Sequence, residues 1–315
     1  MENKNILIIV PMEDTHKKRI AEAAKGCTIT YSTPKDVTEE MVSNANIIVG
    51  NVPPEYIKSS EKLELLQLNS SGSDNYVKDG ILNKKTILAN AAGAYSKAVS
   101  EHMFAMTIML IKKLHLYRDN QNNHNWKDEG TITSLSDATV VIVGLGDIGL
   151  SYARMCKAFG AYVIGVKRSA VKEIPEFVDE LYTTNDMEKA ISRADVVLSI
   201  IPSTPETRGM FNKSKFDIMK EGTVFLNGGR GDAVNTDDLM EAVKSGKIAL
   251  CGLDVTDPEP LPKDHPLWNM KNVFITPHVA GHYHLLETLE RIRNIAINNI
   301  EKYVNGEDVT NVVKH

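Results

Sequence analysis

The chain has 315 residues, 42% of them apolar and 24% charged, with a formal net charge of -5. That length suits two domains with well-buried cores, and the composition is that of a globular protein, which sets aside disordered, collagen-like and membrane classes. A negative balance gives no general surface for phosphate backbones, so nucleic acid is not an expected partner.

The opening MENKNILIIV has a short apolar run that meets Pro11, the pattern of a first strand and not of a cleaved leader. Runs rich in β-branched residues recur at 6–10, 47–50, 65–68, 139–143, 162–166, 196–200, 224–226 and 273–276, with amphipathic segments between them. Strands at that spacing predict parallel sheets joined by helical crossovers. The segment 101–117 has no glycine or proline and reads as one long helix, followed by a polar loop at 119–128 and a fresh sheet from Thr139, which marks a domain boundary. Its most apolar part, 103–111, is far shorter than the roughly 20 residues a bilayer requires. A final helix is expected at 284–303, where Leu285, Leu286, Leu289, Ile292, Ile295, Ala296 and Ile300 fall at three-and-four spacing. The tail 309–315 still has an apolar stripe to bury, so the chain is expected to cross back and end on the first domain. Cys27, Cys156 and Cys251 are widely spaced and form no CxxC, which predicts reduced thiols in a cytoplasmic protein, with no disulfide frame and no metal site.

The strand at 139–143 runs directly into Gly144-Leu145-Gly146-Asp147-Ile148-Gly149 and then a helical segment. This is GxGxxG in its required setting of strand, tight turn and helix start. Gly144 permits the turn, Gly146 lets backbone approach a pyrophosphate, and Gly149 lets the helix pack on its strand. The helix N-terminus adds amide donors and a positive dipole end. The next strand completes a βαβ unit, so a Rossmann domain binding a dinucleotide is expected. After the strand at 196–200, the loop carrying Pro202 and Thr207 falls at the edge of the sheet where such ligands bind.

Three polar elements punctuate the later strands. Arg230, flanked by glycines in NGGRG, is placed to grip a carboxylate with its planar fork. Glu259 stands between Pro258 and Pro260, which stiffen its backbone. His278 follows a strand in TPH, and a histidine beside a carboxylate is the ordinary construction of a general acid, because the anion stabilises imidazolium. Each alone reads equally as a surface or structural residue; their order along one sheet edge carries the argument.

The sequence GLGDIG, then SIIPSTPETRGMFN, NGGRGDAVNTDDL, GLDVTDPEPLP and TPHVAG resembles the D-isomer-specific 2-hydroxyacid dehydrogenase family, in particular its glyoxylate/hydroxypyruvate reductases, over nearly the whole chain. The resemblance implies that Arg230 holds the substrate carboxylate and carbonyl, that Glu259 partners the acid-base His278, and that Asp254 receives the nicotinamide carboxamide. It makes Ser71 and Gly72 amide donors to the substrate carboxylate and sets Ser96 beside the cofactor. It also implies a homodimer built through the cofactor domain, to which Trp126 contributes if it resembles the tryptophan some members lend to a partner. The implied fold is α/β with two doubly wound parallel-sheet domains: a Rossmann cofactor domain, 101–286, inserted in a flavodoxin-like substrate domain, 1–100 with 287–315. Two chain crossings between domains make a hinge and a cleft.

Two positions depart from the family pattern. Lys167, followed by Arg168 and Ser169, stands where NAD-using members carry an acid that accepts from the ribose hydroxyls, so NADP is expected to be favoured over NAD. His282 replaces a small hydroxyl residue. Formate dehydrogenase is a poor match, since its glutamine stands where this chain has Glu259. The expected activity is NAD(P)-dependent reduction of a small 2-oxo acid to the D-2-hydroxy acid, and the reverse. The alternatives are a phosphoglycerate dehydrogenase without a regulatory domain and a dinucleotide-sensing corepressor-like protein. Asn51, Val52 and Tyr95 are expected to line the pocket and to suit a small polar substrate such as glyoxylate or hydroxypyruvate.

Overall fold

The computed structural model describes residues 4–58, 60–169 and 173–315. Its strands, in chain order, are β1 (Asn5–Ile8), β2 (Thr28–Tyr31), β3 (Ile47–Val49), β4 (Leu65–Gln67), β5 (Ile87–Ala89), β6 (Thr139–Val143), β7 (Tyr162–Lys167), β8 (Glu180–Thr183), β9 (Val196–Ser199), β10 (Thr223–Asn227), β11 (Ile248–Leu253), β12 (Val273–Ile275) and β13 (Val312–Val313). The chain divides into two compact units, Met1–Tyr95 with Tyr283–His315, and Ser96–His282. These breaks precede the expected ones by a few residues. The helix Ser96–Ile111 lies wholly in the second unit, packed on the helix Asp147–Ala158 and on β10 and β11.

The first unit holds the sheet β13-β5-β4-β3-β1-β2. Apart from β13 this is the flavodoxin-like order, in which the chain runs outward from β1 in both directions. All its pairs are parallel except β13 with β5, where Val312 faces Ala89 and Val313 faces Leu88 in an antiparallel ladder. Asn299, fully buried on the helix Leu286–Asn305, holds this arrangement: its Nδ2 donates to Gln67 Oε1 at 2.5 Å and to Thr310 O at 3.1 Å, while its Oδ1 accepts from Thr310 N at 2.9 Å. One amide thus ties the last helix to β4 and to the returning tail.

The second unit holds the sheet β12-β11-β10-β9-β6-β7-β8, parallel throughout. Here β6 and β9 are neighbours although β7 and β8 intervene in sequence, which puts the topological switch point between their C-terminal ends. Both faces of a parallel sheet are covered, so its central strands are apolar without alternation: β9 and β10 are buried at every residue. Phe225 of β10 meets Phe211 and Phe216 edge to face, with ring centroids 5.1 and 5.4 Å apart, and all three are buried.

The expected single helix at 101–117 is two, Ser96–Ile111 and Leu114–Asn122. The break lies at Lys113, whose φ of 56° places it in the left-handed region. No glycine or proline signals that break. The neighbouring loop supplies compensation, since Lys112 Nζ donates to Thr133 O at 2.8 Å and Lys113 Nζ to Glu129 O. Among the described residues no helix is long and apolar enough to cross a membrane. None of the three cysteines forms a disulfide, and burial pushes the Cys156 thiol up to about 12 and raises that of Cys251 as well, which leaves both inert as nucleophiles.

Truncating Phe225 leaves a void between two fixed rings. Phe225→Ala is expected to lower the unfolding free energy by about 3–5 kcal/mol in equilibrium denaturation; a loss below about 1 kcal/mol, the scale of an ordinary surface change, would show that the three-ring cluster does not anchor this core.

Candidate active site

Backbone bonds extend the ladders of the second sheet just beyond its strand ends. Gly144 N donates to Val166 O at 3.0 Å, Ile200 N to Val143 O at 2.8 Å, Gly228 N to Ser199 O at 3.0 Å, Asp254 N to Asn227 O at 3.0 Å and Thr276 N to Leu253 O at 2.9 Å. Parallel register therefore brings the loops after β6, β9, β10, β11 and β12 to one edge, in fixed lateral order. This is the edge at which open α/β sheets bind ligands.

The turn after β6 is built for close approach. Gly144 has φ +105°, and a Cβ there would stand 2.4 Å from Ile200 O, so the switch point closes only around glycine. A Cβ at Gly149 would stand 2.3 Å from Gly144 O, which seats the helix Asp147–Ala158 directly against its turn. At Gly146, by contrast, an added Cβ meets nothing within 4 Å. Open space over a helix N-terminus, with Asp147 exposed and Ile148 half-buried beside it, fits a pyrophosphate. Lys167 ends β7 half-buried, and Arg168 and Ser169 are exposed. The Glu206 carboxyl is held below its ordinary value, first by the Thr204 hydroxyl and also by the charge of Arg168, so that guanidinium is within electrostatic reach of the loop after β9. In that loop Thr207 Oγ1 donates to Pro202 O at 2.7 Å and accepts from Thr204 N at 2.8 Å, which fixes its shape.

His278 and Glu259 are brought together as expected. His278 Nδ1 lies 2.6 Å from Glu259 Oε1, and both side chains are nearly half exposed. With Nδ1 directed at the carboxylate, Nε2 is the ring atom left for a substrate. The backbone of His278 has φ 51°, a left-handed conformation that histidine adopts more readily than most residues, and its N–H donates to Asp254 O at 2.8 Å and Thr276 O at 3.0 Å. Asp254 is 2% exposed. Its Oδ1 accepts from Thr276 Oγ1 at 2.6 Å and Val279 N at 3.0 Å, and its Oδ2 from Ala280 N at 3.2 Å. Arg230 sits two loops away along the edge, half-buried, with Nη1 donating to Gly229 O at 2.8 Å. Its turn is fixed by buried Asn227, whose Nδ2 donates to Arg230 O at 2.8 Å and whose Oδ1 accepts from Gly229 N at 3.2 Å. A Cβ at Gly231 would stand 1.9 Å from Thr256 O, so the arginine turn packs on the backbone that leads to Glu259.

Ser71 and Gly72 belong to the first unit. Among the described residues no hydrogen bond takes up their amides, so both N–H groups of this loop remain available to an anion. Asn51, expected to line a pocket, instead spends its polar groups on the same loop. Asn51 N donates to Asn69 Oδ1 at 2.6 Å, Asn51 Nδ2 to Ser70 Oγ at 3.0 Å, and Asn69 N to Asn51 Oδ1 at 3.1 Å. Tyr95 OH likewise donates to Asn69 O, and Val52 is 2% exposed with its carbonyl taken by Tyr76 OH at 2.8 Å. Ser96 is buried at the first position of its helix. His102, which shapes the site from behind, carried no signal in the sequence because its partners Thr276 and Asp254 are far along the chain.

A doubly wound dinucleotide-type sheet with a His–Glu pair and an arginine at its ligand-binding edge defines a nicotinamide-linked oxidoreductase. The family described as D-isomer specific 2-hydroxyacid dehydrogenase, NAD binding domain, matches residues 104–280, and the chain belongs to the D-isomer specific 2-hydroxyacid dehydrogenases. It is 37% identical to the uncharacterized protein in the proB 3' region of Corynebacterium melassecola, over 87% of this chain and 90% of that one. It is 32% identical to the human glyoxylate reductase/hydroxypyruvate reductase, over 80% of this chain and 77% of the relative. Among solved structures, a D-isomer specific 2-hydroxyacid dehydrogenase family protein from Aeromonas salmonicida superposes with a TM-score of 0.84 at 29% identity, covering 99% of each chain.

The clash at Gly144 gives a direct test of the dinucleotide turn. Gly144→Ala is expected to abolish binding of reduced nicotinamide cofactor, followed by quenching of the two tryptophans, and to lower Tm as well; native affinity in the variant would place the cofactor elsewhere.

Proposed function

We propose that this protein reduces a small 2-oxo acid to the D-2-hydroxy acid, and catalyses the reverse, with His278 as the acid/base. The contact of His278 Nδ1 with Glu259 Oε1 at 2.6 Å, on the ligand-binding edge of a dinucleotide-type sheet, carries this reading. Gly144, Gly146, Asp147, Ile148, Gly149, Ser96, Pro202, Thr207 and Asp254 are the residues that would hold the cofactor, with Lys167, Arg168 and Ser169 at its adenosine end. When bound, a reduced nicotinamide supplies the hydride that C2 of the oxo acid accepts. Arg230 binds the carboxylate and the carbonyl oxygen through its fork, and the Ser71 and Gly72 amides are carboxylate donors of the first unit. As negative charge grows on the carbonyl oxygen, His278 delivers the proton from Nε2, and the product leaves with a hydroxyl at C2. Glu259 orients the ring and balances the imidazolium. Asp254 still has acceptor capacity on Oδ2 for a carboxamide, since a carboxylate offers about four lone-pair positions.

The name of the human relative supports glyoxylate or hydroxypyruvate as substrate. A purely binding, corepressor-like role is the rival, and the assembled His278–Glu259 pair speaks against it, because binding alone requires no proton donor. Exposed Trp126, Leu114 and Phe159 support a homodimer built through the second unit, and cysteines held outside any disulfide support a reducing compartment such as the cytoplasm.

Oxidation of reduced nicotinamide in the presence of 2-oxo acids, followed by absorbance, tests the activity. His278→Ala is expected to lower kcat by about 10² to 10⁴ with cofactor affinity retained. Arg230→Lys should lose mainly kcat/KM, because an ammonium cannot match a planar carboxylate and carbonyl, and equal activity of the two enzymes would remove the clamp from the mechanism.

NADPH is expected to be preferred over NADH. The Lys167–Arg168–Ser169 turn has no acid to repel a 2′-phosphate, and a charge-assisted hydrogen bond to phosphate contributes about 1.5–3 kcal/mol, roughly ten- to a hundred-fold in affinity. The ratio of kcat/KM for the two cofactors should fall or reverse in Lys167→Asp with Arg168→Ala. A native enzyme that favours NADH would show that these cations do not read the phosphate.

A further inference from the structure

We infer that His102 is a positioning residue for the proton-transfer histidine, acting through a hydrogen-bond relay that runs His102, Thr276, Asp254 and then the backbone of the two residues that follow His278. The inference rests on the reading of His278 as the acid. His102 lies on the helix Ser96–Ile111, far from TPHVAG in sequence. Its Nε2 is 3.1 Å from Thr276 Oγ1 and 3.7 Å from Asp254 Oδ1.

The direction of the relay follows from counting protons. Thr276 has one hydroxyl hydrogen, and Asp254 Oδ1, 2.6 Å away, can only accept in its ionised form. That hydrogen therefore points at Asp254, and Thr276 Oγ1 presents a lone pair to the histidine. His102 Nε2 must be the donor, which fixes the proton on that ring atom. Asp254 in turn is 2% exposed and accepts from Val279 N at 3.0 Å and Ala280 N at 3.2 Å, while its own carbonyl accepts from His278 N at 2.8 Å. The carboxylate thus grips both residues that follow His278, whose φ of 51° is a conformation that persists only where its surroundings impose it. His102 sets the Thr276 hydroxyl, that hydroxyl and the two amides set the carboxylate, and the carboxylate sets the segment from which the His278 ring projects.

A supporting shell of this kind acts on geometry, so its loss should appear chiefly in kcat. In His102→Leu, which keeps bulk and removes the donor, kcat for oxo-acid reduction is expected to fall about ten-fold or more, with Tm little changed and any rise in KM for the reduced cofactor smaller than the fall in kcat. His102→Gln, whose Nε2–H reaches a similar point, should restore most of that kcat. Thr276→Val should reproduce the loss, and the double variant His102→Leu with Thr276→Val should be no worse than the poorer single one, since both cut the same relay. Native kcat in His102→Leu, additive losses in the double variant, or a Gln variant as poor as the Leu variant would each overturn the relay. Nitrogen-15 spectra of the His102 ring give a readout free of activity: a proton on Nε2 is expected, and a bare Nε2 overturns the assignment. His278→Ala assayed alongside separates the two readings, because native kcat in that variant removes His278 as the acid, whereas an inactive His278→Ala beside a native His102→Leu removes only the relay.

Discussion

Parallel register in the second sheet is the constraint on which the site depends. In a parallel sheet all strands point the same way, so every loop that follows a strand emerges at one edge, and the hydrogen-bond ladder fixes the lateral spacing of those loops. The bonds joining Gly144, Ile200, Gly228, Asp254 and Thr276 to neighbouring strands extend that spacing into the loops themselves. A glycine-rich turn, an arginine turn, an acidic loop and a histidine, spread along the chain from Gly144 to His278, are aligned by this means without any direct contact between all of them.

Rigidity at this edge comes from close backbone approach as well as from hydrogen bonding. Glycines at 144, 149 and 231 stand where a Cβ would lie inside the van der Waals shell of a carbonyl oxygen. Each permits two backbone segments to pack with no intervening side chain, which locks one loop against the next: the dinucleotide turn against the end of β9, and the Arg230 turn against the segment leading to Glu259. Buried Asn227 braces the Arg230 turn from within, and buried Asp254 links the loop after β11 to the loop after β12, each with its hydrogen-bonding groups engaged by backbone. Buried polar groups are retained at low cost only when satisfied in this way. The His278–Glu259 pair differs, since both side chains are nearly half exposed.

The first unit applies similar economy to a smaller task. Its loop at 69–73 is braced by Asn51, Tyr95 and Tyr283, the last accepting from Asn69 Nδ2 at 2.5 Å. Side chains that the sequence suggested as pocket lining serve here to hold backbone, and the amides of Ser71 and Gly72 are what the loop presents.

The two-sheet α/β architecture and the dinucleotide turn were legible in the sequence alone, because they rest on local rules, hydrophobic period and glycine spacing, whereas the pairing of Glu259 with His278 followed from the family resemblance. The sequence also carried the returning tail, through an apolar stripe that had to be buried. Short or half-exposed strands such as β2, β5, β8 and β13 were not legible, since what makes them strands is a neighbour to pair with. Only the tertiary structure decided the break at Lys113, where loop carbonyls distant in sequence compensate a left-handed residue that no glycine announces. Only it placed His102 behind Thr276 and Asp254, because a helix side chain acquires its meaning from the strand it packs against. A local pattern specifies which groups a chain offers, but the partners of a buried polar atom are set by long-range packing, which no window of sequence contains.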